Sequence, residues 1–91
     1  MRYEWDDGNV EHIAGKGVEP DEAEEALEDP RNAGLPTYNG PDEQRWATIG
    51  RTSKNRFLIV VFTRRQGRIR VVTARDATED EKRTYRRRRG K

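Results

Sequence analysis

Hydrophobic positions are thin in the first half of this chain and gather into two dense runs in the second. Val10, Ile13 and Ala14 fall at i, i+3 and i+4 and predict a first helix with a narrow apolar stripe. Asp6 is its expected N-cap, with Trp5 at N′ and Val10 at N4 in the positions of a hydrophobic staple. Gly17 supplies the stop. A second helix starts at Pro20, a residue suited to N1, with Asp21 and Glu22 at the positive end of the helix dipole. Ala23, Ala26 and Leu27 give it a thin buried face, and Pro30 ends it. Asn32 to Asp42, with Gly34, Pro36, Gly40 and Pro41, reads as a loop or an irregular edge strand.

Strands dominate the second half. Arg45 to Thr52 alternates weakly, Phe57 to Thr63 is a near-continuous apolar and β-branched run, and Ile69 to Ala74 is a third candidate. The unbroken run of the middle candidate predicts a central strand covered on both faces. Arg2 to Trp5 is a candidate short first strand. Thr78 and Glu81 have capping-box spacing and open a last helix reaching about Arg89. The order predicts an α+β fold, with two N-terminal helices and a C-terminal helix packed on a three- to four-stranded antiparallel sheet. Residues 1–91 read as one domain, in which 78–91 form a basic helix and tail.

With Gln66-Gly67 as a two-residue hairpin turn, Arg65 faces Arg68, Phe62 faces Val71, and Leu58 faces Arg75. One sheet face then carries Leu58, Val60, Phe62, Arg64, Ile69, Val71, Thr73 and Arg75. The other carries Phe57, Ile59, Val61, Thr63, Arg70, Val72 and Ala74. A one-residue slip on either strand would exchange its faces.

Composition adds three constraints. Only 31% of the 91 residues are hydrophobic, so the core is lean. There is no cysteine, hence no disulfide and no thiolate metal site. No apolar run approaches the roughly 20 residues that span a bilayer, and the polar, acidic N-terminus lacks signal-peptide character. A soluble protein of the cytoplasm, without membrane contact, is the expectation.

Charge changes the picture more. Residues 1–43 carry three basic residues against thirteen acids, and residues 44–91 carry sixteen against four. The formal +2 conceals this sorting. Fifteen of the nineteen basic residues are Arg, whose planar fork grips phosphate bidentately and stacks on bases. A basic half rich in Arg points to a polyanion such as nucleic acid. His12, the one histidine, is followed by Lys16 at i+4, on a helix side about 200° from Val10. Histidine is the natural proton carrier near neutral pH, although on spacing alone a solvated helix face accounts for the pair better. A lone histidine argues against a zinc site, and no Gly-rich phosphate loop or Ser-His-Asp arrangement is present. The last helix has Ala77 and Tyr85 as its only apolar residues, beside Arg83 and Arg86 to Arg89. It is either a solvated tail or a phosphate-tracking segment with Tyr85 as a stacking platform.

The chain resembles the BrnT-type toxins over nearly its whole length. Trp5-Asp6, His12-Ile13-Ala14, Gly17-Val18, Glu22, Glu25, Leu27 and Pro30 carry the likeness in the first half. Arg45, Gly50-Arg51, Leu58 to Phe62, Arg70 to Arg75, Thr78, Glu81 and Tyr85 carry it in the second. The resemblance implies a RelE-like ribonuclease fold with helices on one sheet face and RNA on the other. It implies a type II toxin–antitoxin system and a BrnA-type antitoxin with a ribbon-helix-helix domain, through which alone the complex would reach DNA. RNA cutting without metal or organic cofactor is also implied, by attack of the ribose 2′-OH on the adjacent phosphate. In that scheme Arg51 and Arg75 stabilise charge, His12 transfers the proton, and Lys16 is a second cation or alternative proton donor. Arg64, Arg70 and Tyr85 would hold the RNA strand. Where many members read Lys-His-Gly-Val or Arg-His-Gly-Val, this chain reads Gly15-Lys16-Gly17-Val18, so the family's usual His is Lys16. A non-catalytic RNA- or DNA-binding module and a module docking an acidic protein remain alternatives on the residues alone.

Overall fold

The structure is a computed structural model that describes residues 2–35 and 44–89. The chain runs β1 (Tyr3–Glu4), α1 (Asp7–Ala14), α2 (Pro20–Glu28), β2 (Ala33–Leu35), β3 (Trp46–Arg51), β4 (Phe57–Arg65), β5 (Arg68–Asp76) and α3 (Glu79–Arg89). This is the expected α+β class, with a larger and mixed sheet. Five strands lie in the order β1-β5-β4-β3-β2, antiparallel except for β1, which runs parallel to β5. The apolar run of β4 takes the central position, as its composition demands. The expected loop from Asn32 contains the edge strand β2; its remainder, 36–43, lies outside the described residues, as do 90 and 91.

The helix ends follow local chemistry. Asp6 caps α1 by accepting from the Asn9 backbone N–H at 3.2 Å, and the Asn9 side chain accepts from the Asp6 N–H at 2.8 Å. Asn9 also donates to the carbonyls of Glu4 and Val71, both at 3.1 Å, which ties α1 to β1 and β5. After α1 the chain turns through Gly17 at φ 77°, a conformation that favours glycine. That turn drives Val18 into the core, where it is buried. Arg56 locks the same corner. It donates to the Gly17 carbonyl (2.8 Å), to Glu22 (3.0 Å) and through two nitrogens to Asp76 (2.8 and 3.2 Å). The guanidinium holds the Asp76 carboxyl below the ordinary carboxylate range.

Two apolar clusters sit on opposite faces of the sheet. Ile13, Val18, Ala23 and Ala26 of the α1–α2 layer bury Leu58, Val60, Val71 and Ala74. On the other face Tyr85 of α3 joins Ala33, Ile49 and Ile59. The helices therefore do not share one face, contrary to the arrangement implied by resemblance. Tyr85 draws α3 over the β2–β3 side of the second face and leaves the β4–β5 side open.

The Gln66-Gly67 turn forms as expected, with both residues at positive φ (51° and 78°). Arg65 faces Arg68 and Phe62 faces Val71, but beyond that point the arithmetic fails. Val61 pairs with Thr73 and Leu58 with Asp76, so Val72 is an extra residue, a β-bulge. Ala74 rather than Thr73 then lies beneath the α1–α2 layer. Thr73 and Arg75 turn to the opposite face.

At Gly50 the backbone of α2 comes close to the sheet: a Cβ there would lie 2.0 Å from the Ala26 carbonyl oxygen. Backbone cannot yield as a side-chain tip can, so Gly50→Ala is expected to destabilise by about 3 kcal/mol or prevent folding. Gly34→Ala, with nothing within 4 Å of the added atom, serves as the control and leaves stability nearly unchanged. Thermal melts of the two variants check this; equal melting temperatures would contradict the close packing.

Candidate nucleic-acid interface

The bulge lines up one row of side chains on the open half of the sheet. Arg70 lies opposite Thr63, Thr73 opposite Val61, and Arg75 opposite Ile59. Thr63, Val61 and Ile59 alternate along β4 and so share a face. Each step of the row is about 7 Å along the strand. Helix α1 reaches over the β5 edge and brings His12 to the middle of the row, its Nε2 3.0 Å from the Thr73 hydroxyl. A depression of about 210 Å³ opens there, lined by His12, Arg45, Thr63, Arg65, Arg70 and Val72 among others. Its three arginines and largely polar lining make a concavity suited to a polyanion.

The cations are held by carboxylates. Arg70 makes a paired contact with Asp6 (2.8 and 3.3 Å). The hydrogen bonds from Arg70, with that from the Asn9 backbone, keep the exposed Asp6 carboxyl below its usual range. Asp6 thus caps α1 and fixes Arg70 at once. Arg75 forms a fork-to-fork pair with Glu81 (both 2.9 Å) and donates to the Asp76 carbonyl (3.1 Å). Glu81 also accepts from the Thr78 N–H at 2.8 Å and donates its own N–H to the Thr78 hydroxyl at 3.2 Å, the expected capping box. Hydrogen bonds from Arg75 hold the Glu81 carboxyl down at about 2.

Of the residues singled out in the sequence, His12 and Arg70 line the depression together, while Arg75 shares the face but lies outside the depression, paired with Glu81. Arg51 lies opposite Phe57, farther along the same face at the end of β3. Its backbone N–H donates to Asp29 at 2.8 Å, and its side chain is exposed. Lys16 does not accompany His12: α1 ends at Ala14, and Lys16 sits exposed in the following turn, outside the depression. Arg64 projects to the opposite face, over the Trp46 ring at 5.4 Å. Tyr85 is no stacking platform. It is 1% exposed, its ring meets Phe57 edge-on at 5.2 Å, and its hydroxyl donates to Asp29 at 2.6 Å. An arginine-rich helix with one aromatic residue needs that residue as its anchor. Burial pushes the Asp29 carboxyl up, but hydrogen bonds from the Tyr85 hydroxyl and the Arg31 and Arg51 N–H groups outweigh it and leave the group lowered.

Arg45 and Arg65 line the depression and were not among the expected contacts. The strand alternation held the signal: Arg65 falls on the Thr63 and Arg70 face once the Gln66-Gly67 turn is fixed.

A five-stranded α+β domain carrying a histidine and several arginines around one concavity has the makings of a nucleic-acid-processing protein. Comparison with protein families sharpens this. The family of BrnT, the ribonuclease toxin of type II toxin–antitoxin systems, matches residues 5–81, and the chain belongs to that family. A type II toxin of this kind has RNA as its substrate and an antitoxin as its partner. No curated protein matches the chain. Among the described residues no helix is long and apolar enough to cross a membrane.

The Glu81 pairing gives a pH prediction. A carboxyl lowered from 4.5 to about 2 on folding contributes stability that is present above pH 4.5 and lost as pH falls toward about 2. Glu81→Gln is expected to be less stable than the parent at neutral pH and to lose less stability across that window. Melts from neutral pH into the acid range check it; equal slopes would show that Glu81 is not bonded as described.

Proposed function

We propose that this chain is a metal-independent endoribonuclease whose active site is the Arg70–Thr73–Arg75 face with His12 above it. The observation that carries the reading is the position of His12, bonded to Thr73 at 3.0 Å in the middle of a row of cations. A ribose 2′-OH attacks the adjacent phosphorus, the bond to the 5′-oxygen breaks, and the products are a 2′,3′-cyclic phosphate and a 5′-hydroxyl. His12 takes the 2′-OH proton, the Thr73 hydroxyl orients its ring, and the departing 5′-oxygen takes a proton from solvent water to leave as the hydroxyl. Arg70 and Arg75, with Arg45 and Arg65 along the wall, balance the charge that builds on the phosphorane. Arg51 extends the basic face along the strand. The reaction asks only for a proton carrier and cations, and the ring nitrogens and guanidinium groups of this face meet both needs. The partner in this reading is a BrnA-type ribbon-helix-helix antitoxin, which alone brings the complex to DNA, and the site of action is the cytoplasm.

The test is cleavage of a labelled RNA by the purified chain with excess chelator present. His12→Ala is expected to lower the rate about 10²- to 10⁴-fold with little change in RNA affinity. An otherwise identical strand with a 2′-deoxyribose at the cut position should bind and stay intact. Binding without product by the parent chain would replace the nuclease with a non-catalytic RNA-binding module. Undiminished cleavage by His12→Ala would remove the histidine from the chemistry.

A further inference from the structure

The sheet face opposite the basic row carries a second surface that the proposed chemistry does not use. The α1–α2 layer covers Leu58, Val60, Val71 and Ala74 but stops short of the other end of the strands. There Trp46 and Phe62 stack with centroids 5.9 Å apart, both half-buried. Beside them a groove of about 350 Å³ runs between α2 and β1, floored by Phe62 and Ile69 and flanked by Leu27 and Tyr3. Its rim is cationic. Arg2 and Arg64 line it, and among the described residues neither forms an ion pair with a carboxylate. Glu28, the one acid on the rim among the described residues, already accepts the Tyr3 hydroxyl at 2.8 Å. An apolar, aromatic centre inside a charged rim is the anatomy of a protein-docking site. It suits a nucleic acid less well, because the Trp46 ring already carries both Phe62 and the Arg64 guanidinium.

We propose that this groove seats a segment of the antitoxin, one that inserts an aliphatic or aromatic side chain between Phe62 and Ile69 and sets carboxylates against Arg2 and Arg64. The occupant is assigned by charge complementarity and by the family's partner, which is a protein. The inference rests on family membership and not on the cleavage mechanism. Capture of the toxin by its antitoxin would therefore use the face away from the basic row and leave that row to be covered, or not, by the rest of the partner.

The test uses the full chain and the antitoxin produced from the neighbouring reading frame. In a Trp5→Phe background Trp46 is the single tryptophan, and its emission is expected to shift to the blue as antitoxin is added. Ile69→Glu and Arg64→Glu should each weaken antitoxin binding about tenfold or more, while Ile69→Glu cuts RNA at the parent rate. Circular dichroism checks the fold, and if Ile69→Glu does not fold, the exposed Arg64→Glu carries the comparison. Unchanged antitoxin affinity with unshifted emission would overturn the assignment. So would a Trp46 shift produced by RNA instead, or self-association of the free chain that Arg64→Glu abolishes. A chain that binds antitoxin through this face but cuts nothing would leave the inference standing and remove only the nuclease reading.

Discussion

The extra residue at Val72 decides what the second half of this chain can do. Without it β5 would alternate strictly, Thr73 would lie under the α1–α2 layer, and Ala74 would face the open side. With it the small Ala74 is buried against the helices, and the polar Thr73 and Arg75 turn outward beside Arg70. The edge of β5 past the short β1 is also where α1 packs, pinned by Asn9 to the carbonyls of Glu4 and Val71. One irregularity thus aligns the row, and one buried amide brings the histidine to it. Bulges at sheet edges commonly re-aim side chains in this way.

The sorting of charge along the chain has a structural meaning beyond attraction of a polyanion. Acids of the first half meet cations of the second inside the fold: Asp6 with Arg70, and Glu22 with Arg56. Asp29 and Glu25 extend the pattern by accepting backbone N–H groups of Arg51 and Ser53. The first half therefore serves as a scaffold of carboxylates that sets the orientation of guanidinium groups presented by the strands. Such partly exposed pairs add little stability individually. Their value lies in holding long arginine side chains in one geometry before a ligand arrives, which lowers the ordering cost of binding.

Much of the fold was legible in the sequence because caps and turns are local. Asp6, Pro20, the Gln66-Gly67 turn and the Thr78–Glu81 box each act within a few residues and sit where expected. The class and the centrality of β4 followed from hydrophobic pattern. What the sequence hid is set by tertiary contact. A bulge leaves no local mark in Arg70 to Arg75, so the faces of Thr73 and Arg75 were assigned wrongly. Tyr85 looked available because its helix is otherwise charged, yet it is buried against Phe57 and bonded to an aspartate 56 positions earlier. His12 and Lys16 had helical spacing, but the helix ends before it can align them. Arg64 alternates away from the row, and Arg45 and Arg65 alternate toward it.

The central claim is that RNA lies along the bulged β5 strand beneath His12. The most direct measurement is the set of NMR shift changes caused by an RNA strand with a 2′-O-methyl group at the cut position, which binds but cannot react. The account predicts that the changes concentrate on the His12 ring, the Val61 and Val72 methyls, Thr73 and the Arg70 and Arg75 side chains. Changes confined to Trp46, Phe62 and Ile69, or to the exposed side of α3, with His12 and Thr73 unmoved, would contradict it.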